Sequence, residues 1–194
     1  DHLPAPGETI LGGSFFMNPG GKGANQAVAA QRLGANVTFI AKTGNDVFGE
    51  RSVQMFKDEG IDTTYMIADP VNPSGVAMIT IDKNAENCIV VASGANAALL
   101  PANLLPATDA IKQADIVLMQ LEIPLATVEY VAALCKANNV SLILNPAPAC
   151  SLPEELFPNI SIITPNEKEA DMLTGISITD EGSATKAAVI LKSQ

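Results

Sequence analysis

The sequence predicts an α/β fold built on a mostly parallel sheet with helices on both faces, and three observations carry that prediction. Apolar strand-like runs at Ile116 to Met119, Ser141 to Leu144 and Ile160 to Ile163 are separated by longer segments of helical or turn character, the pattern of a sheet covered on both sides. Hydrophobic residues make up 47% and charged residues 16% of the chain, which suits a large buried core and excludes a disordered tail or a coiled coil. The length of 194 residues is enough to bury that core without disulfide staples.

Taken in order, Thr9 to Phe16 is a candidate strand, and Pro19-Gly20-Gly21-Lys22-Gly23-Ala24-Asn25 opens an Ala-rich helix that ends near Gly34. Asn36 to Ala41 is β-branched and apolar and predicts a strand. Val47 to Glu59 follows with helical spacing at Phe48, Val53 and Phe56 and stops at Gly60. Ser74 to Ile81 and Asn87 to Ala92 flank the turn-rich Asp82 to Glu86, the signature of an antiparallel hairpin. From Leu100 a helical stretch leads into the strand at Ile116 to Met119, a helix from about Leu125 to Ala137, the strands at Ser141 to Leu144 and Ile160 to Ile163, and a last helix over about Ser183 to Leu191. No strand follows that helix, although β-α-β crossover logic calls for one. With no internal repeat and no low-complexity linker, residues 1–194 read as one domain.

Composition narrows the partners. Eleven Lys and Arg against 21 Asp and Glu leave a net charge of −10, the wrong sign for phosphate-driven nucleic-acid binding. Trp is absent and aromatics are 4%, which also removes stacking platforms for bases. No apolar run reaches membrane-spanning length. Cys88, Cys135 and Cys150 are widely spaced with no C-x-x-C pair, which fits a reducing, cytoplasmic setting. His2 is the only histidine, so a multi-histidine metal site is impossible and a Ser-His-Asp triad improbable.

Ligands of open α/β sheets bind beyond the carboxyl ends of the strands, and three consecutive strands here end in polar signals. These are Gln120 and Glu122, Asn145, and Asn166 with Glu167 and Glu169. The spacing of Asn166 and Glu169 equally fits a helix capping box, and Asn145 before Pro146 equally fits a turn. Glu122, an acid that follows a buried strand, must find water, a partner or a ligand. The Gly-Gly-Lys-Gly-Ala-Asn run lets backbone approach a ligand and presents the amides of a helix start to oxygen-rich groups; a plain glycine turn with a solvated Lys22 is the structural alternative. It is neither a Walker A loop nor a dinucleotide fingerprint.

That run, with Ala27, Gly34 and Gly44 at their spacings, resembles the first signature of the ribokinase family of carbohydrate kinases. Ser93 to Asn96 (SGAN), Met119 to Glu122 (MQLE), Asn145 to Ala149 (NPAPA) and Thr164 to Ala170 (TPNEKEA) follow in that family's order, so the resemblance spans the chain. It implies a Rossmann-like α/β domain that phosphorylates the 5-hydroxyl of D-ribose with ATP and Mg²⁺. It also implies a small β-sheet lid, assigned to segments near 9–16 and 74–92, that covers the sugar and forms a homodimer contact. By the same resemblance, Asp1, Gly20, Gly21, Lys22, Asn25 and Glu122 bind sugar hydroxyls. Asn166 and Glu169 lie near the magnesium and ATP phosphates, with Glu169 on the metal side.

The family's second signature, Asp-Thr-x-Gly-Ala-Gly-Asp, is not in these residues; in the family it supplies the catalytic base and the anion hole. The expectation is a piece of such a kinase without the opening strand and roughly the last third, inactive by itself. The adenine pocket and any site for a monovalent cation such as K⁺ are expected mostly in the missing part. Two alternatives stand beside this reading: a sugar-binding or dimerising module without turnover, and a related nucleoside or sugar kinase.

Overall fold

The computed structural model describes residues 2–11 and 13–194. Asp1, expected among the sugar ligands, lies outside the described residues, as does Gly12 within the candidate strand at Thr9 to Phe16.

The first part of the chain builds a β-α unit. Helix α1 (Lys22–Arg32) turns Ala24 and Ala27 inward, against Phe56 of α2 (Val47–Asp58) and Ile61. Phe39 meets Phe56 with ring centroids 4.6 Å apart, and small alanines on α1 leave room for that aromatic pair. Strands β1 (Ala41–Gly44) and β2 (Met66–Asp69) pair in parallel, from Ala41 opposite Met66 to Gly44 opposite Asp69. The strand expected at Asn36 to Ala41 therefore begins later. Thr38 makes only a single bridge, to Asp62, because the opposing chain turns there: the Asp62 carboxylate accepts from Thr64 N and Oγ1 at 2.9 and 2.6 Å. The ladder resumes once that turn is complete.

Strands β3 (Val76–Ile81) and β4 (Asn87–Ala92) form the expected antiparallel hairpin, with Val76 opposite Ala92 and Ile81 opposite Asn87. Every residue of both strands is exposed. The expected third lid strand is absent among the described residues of 9–16. Leu11, Phe15 and Phe16 are exposed, and Gly13 has φ 90°, a left-handed turn of the backbone that breaks an extended run. Strand-type residues form a strand only where an edge pairs with them, and none does so among the described residues.

The later part of the chain supplies most of the main core, with Ile40 and Ile67 packed against it. Strands β5 (Ile116–Met119), β6 (Ser141–Leu144) and β7 (Ile162–Ile163) pair in parallel in the order β5-β6-β7. Leu142 and Leu144 are fully buried against Val128, Ala132 and Cys135 of α4 (Leu125–Ala137), with Ile111 of α3 (Thr108–Gln113) in the same cluster. Strand β7 is shorter than the expected Ile160 to Ile163, because Glu154–Asn159 winds into a 3₁₀ turn just before it. After β7 come α5 (Glu167–Thr174) and α6 (Glu181–Ser193). The last begins before Ser183 because Asp180 caps it, accepting from Ser183 N at 2.7 Å.

All three cysteines are free. Cys135 is buried, and that burial pushes its thiol pKa up. Among the described residues no helix is long and apolar enough to cross a membrane.

Candidate functional site

The start of α1 lies at the carboxyl end of β5 because two residues about half the chain apart meet there. Gly21 precedes the helix with φ 102° and ψ 151° and offers no side-chain cap, a conformation open almost only to glycine. The first amides of α1 therefore need another acceptor. Glu122 Oε2 takes the Lys22 backbone N–H at 3.0 Å, and Glu122 Oε1 lies 3.3 Å from Lys22 Nζ. Both side chains keep substantial exposure, 42% for Lys22 and 33% for Glu122. An ion pair so wet contributes at most about 1 kcal/mol, so free N–H groups and lone pairs remain for a ligand. One turn on, Asn25 is exposed with no side-chain hydrogen bond among the described residues. Gly20 stands in open space.

Beneath this loop, the Gln120 amide donates to Gln26 of α1. An added Cβ on Gly23 would lie 3.0 Å from Gln120 Oε1, so a side chain there would crowd the Gln120 amide. Asn145 serves the sheet: its N–H donates to Met119 O and its Nδ2 to Thr164 O, both at 2.9 Å, tying the ends of all three strands together.

Asn166 and Glu169 are brought together as a complete capping box on α5. Asn166 Oδ1 accepts from Glu169 N at 2.8 Å, Glu169 Oε2 accepts from Asn166 N at 2.8 Å, and Glu169 Oε1 accepts from Asn166 Nδ2 at 2.9 Å. Glu169 is 7% exposed. Neither residue bonds to Lys22 or Glu122. Among the described residues no group of three or more His, Cys, Asp or Glu is placed to hold a metal ion.

Sequence reasoning missed two carboxylates at the ends of β1 and β2. Asp46 caps α2 with Oδ1, which accepts from Phe48 N and Gly49 N at 3.1 and 2.9 Å, and it also holds Ser74: Oγ donates to Oδ1 at 2.7 Å and N to Oδ2 at 2.8 Å. The Ser74 N–H first, then Gly49 N–H and the Ser74 hydroxyl, hold the Asp46 pKa down at about 2. Asp69 is buried and takes Lys42 Nζ at 2.8 Å together with Val71 N and Asn72 N. Lys42 is the main reason its carboxyl stays well below the usual range. An Asp directly before an amphipathic helix was a readable cap signal; its partner Ser74, 28 positions away, was not.

Parallel ladders wrapped by helices, a hairpin rising from their carboxyl ends and polar side chains gathered at those ends define the class of a sugar-kinase-type α/β protein. The profile of the pfkB family carbohydrate kinases matches residues 1–194, and the chain belongs to that family. It is 49% identical over 189 residues to the ribokinase of Haemophilus influenzae, covering 97% of this chain and 62% of the relative. Among solved structures it is similar to that of Sa239, with TM-score 0.94, 41% identity and coverage of 99% of this chain and 64% of that one. It is also similar to the Arabidopsis thaliana ribokinase complexed with ribose and ATP, with TM-score 0.91, 30% identity and coverage of 99% and 63%. The chain thus spans less than two thirds of the length of each.

Proposed function

We propose that the protein containing these residues transfers the terminal phosphoryl group of ATP to the 5-hydroxyl of D-ribose, and that the open start of α1 is its sugar site. The observation that carries this is the Lys22–Glu122 pair, in which a carboxylate and an ammonium remain accessible at a strand end. Support comes from the family and from the relative solved with ribose and ATP.

A neutral sugar is held by many directional bonds rather than by net charge. Glu122 accepts from hydroxyls, Lys22 donates to them, and Asn25 can do both. Gly20 and Gly21 let the backbone come close, and Asp1 belongs to the same set by resemblance. Lys22 holds Glu122 in place, so the carboxylate is oriented before the sugar arrives, which lowers the ordering cost of binding. The work of this half of the site is to bind and aim the reacting hydroxyl.

Asn166 and Glu169 are assigned to the phosphate side. Each Glu169 oxygen has one bond within the cap and one lone pair left, a donor set suited to a magnesium ion that keeps most of its waters. Bound with ATP, that ion neutralises phosphate charge. The base is assigned to residues outside these 194, and a homodimer through β3 and β4 fits two strands whose residues are all exposed.

A coupled assay of the complete gene product with ATP, Mg²⁺ and ribose tests this: ribose turnover is expected, and none would overturn the reading. The same 194 residues alone are expected near background, since loss of a general base costs about a hundred- to ten-thousandfold. Ribose binding without turnover by the complete product would instead select the binding-module alternative.

A further inference from the structure

Along Val76–Ile81 and Asn87–Ala92 every residue of the hairpin is exposed, and the hydrogen bonds that tie it to the body among the described residues lie at its root. The two arms are knitted where they leave the core. Ala95 N donates to Pro73 O at 2.8 Å. Added Cβ atoms on Gly75 and Gly94 would lie 2.7 Å from Ser93 O and 2.3 Å from Pro73 O. Arms packed that closely move together.

What this root stands on is Ser74. Its side-chain oxygen accepts from Gly44 N at 3.0 Å, and both its hydroxyl and its N–H donate to Asp46. Gly44 and Gly49 fit beneath with no space for a side chain, since added Cβ atoms would lie 2.3 Å from Ser74 N and 2.2 Å from Gly44 O. The carboxylate therefore serves two elements at once. One oxygen closes the first turn of α2, and both oxygens hold the residue from which the hairpin springs.

We infer that Asp46 is a positioning residue for the lid, its carboxylate fixing Ser74 and so the angle at which the hairpin stands over the carboxyl ends of the strands. The inference deepens the proposed kinase reading and rests on it for its effect on ribose. The clasp itself is a property of the fold.

Asp46→Asn separates the clasp from the helix cap. Asn is as good an N-cap as Asp, and its carbonyl oxygen still accepts from Phe48 N and Gly49 N. Its amide nitrogen then faces Ser74 N, donor against donor, so the Ser74 N–H loses its acceptor and the clasp loosens to the one bond from the Ser74 hydroxyl to the retained oxygen. The direct readout is the distance between spin labels on Cys88, on the hairpin, and Cys150, on the body; both are exposed, while Cys135 is buried. Labelled protein is diluted into unlabelled protein so that only pairs within one molecule are read. A narrow distribution in the parent is expected to shift or broaden in Asp46→Asn and in Ser74→Ala, with both variants still folded by circular dichroism. In the complete gene product, Asp46→Asn is expected to raise the ribose KM about tenfold with kcat within about threefold, as the energy of the lost Asp46–Ser74 bond is passed on to the placing of the lid over the sugar. Combined with Ser74→Ala it is expected to be little worse than the stronger single change, because the two share one contact. An unaltered distance distribution in both variants overturns the clasp. An altered distribution with unchanged ribose KM overturns its role in positioning the lid. A parent that does not act on ribose overturns the kinase reading, and the distances then still decide the clasp.

Discussion

Helices α1 and α5 both start at the carboxyl ends of strands, and their first turns are finished in opposite ways. At α5 the polar groups are satisfied within four residues: Asn166 and Glu169 bond each other three times, and Glu169 is buried. At α1 nothing local caps the helix, and the acceptor is Glu122, 100 positions along the chain. The same need for acceptors thus yields a closed structural joint in one place and an open, half-wet cluster in the other. A terminus that satisfies itself locally contributes stability first. One that depends on a distant, exposed carboxylate has bonds to offer a ligand.

Substitutions at the two starts should separate these roles. Gly21→Ala forces a side chain into φ 102° and ψ 151°, a region costing about 1–3 kcal/mol outside glycine. A lower melting temperature and a raised ribose KM are expected together. Asn166→Ala removes a cap worth about 0.5–2 kcal/mol, so melting should fall while the ribose KM stays within about twofold. A ribose effect larger than that would make α5 part of the sugar site and dissolve the contrast.

The start of α2 stands between the two, capped by its own Asp46 yet shared with Ser74. Its carboxyl is held at about 2 by those bonds, below the ordinary Asp value of about 3.9. A lowered folded pKa means that its stabilising contribution is fully present above the unfolded value and is lost as the pH falls through the folded one. Exchange protection of the Ser74 amide is therefore expected to be flat with pH, after correction for intrinsic rates, from neutral down to about 4 and to fall towards pH 2. Loss of protection already near pH 5 would contradict the assigned bonding.

Helix α4 shows what was legible in the sequence: its expected span, Leu125 to Ala137, matches the structure, because buried apolar spacing and flanking breaks act locally. The strand expected at Thr9 to Phe16 is not seen among the described residues of that segment, for the converse reason. Its residues favour extended backbone, but the edge that pairs with a strand lies elsewhere in the chain and leaves no mark on the segment itself. The site divides in the same way. Lys22 after two glycines and Glu122 after an apolar strand each announced themselves. Their meeting, like that of Asp46 with Ser74 and Lys42 with Asp69, depends on how separate β-α units stack.

The most direct test of the open α1 start as the sugar site is the Michaelis constant for ribose, measured beside that for ATP, in Glu122→Ala of the complete gene product. Losing a hydrogen bond to a charged group costs about 1.5–3 kcal/mol, so the ribose KM should rise about ten- to two-hundredfold, with the ATP KM and the far-ultraviolet circular dichroism unchanged. A ribose KM equal to that of the parent, or a shift confined to ATP, would contradict the account.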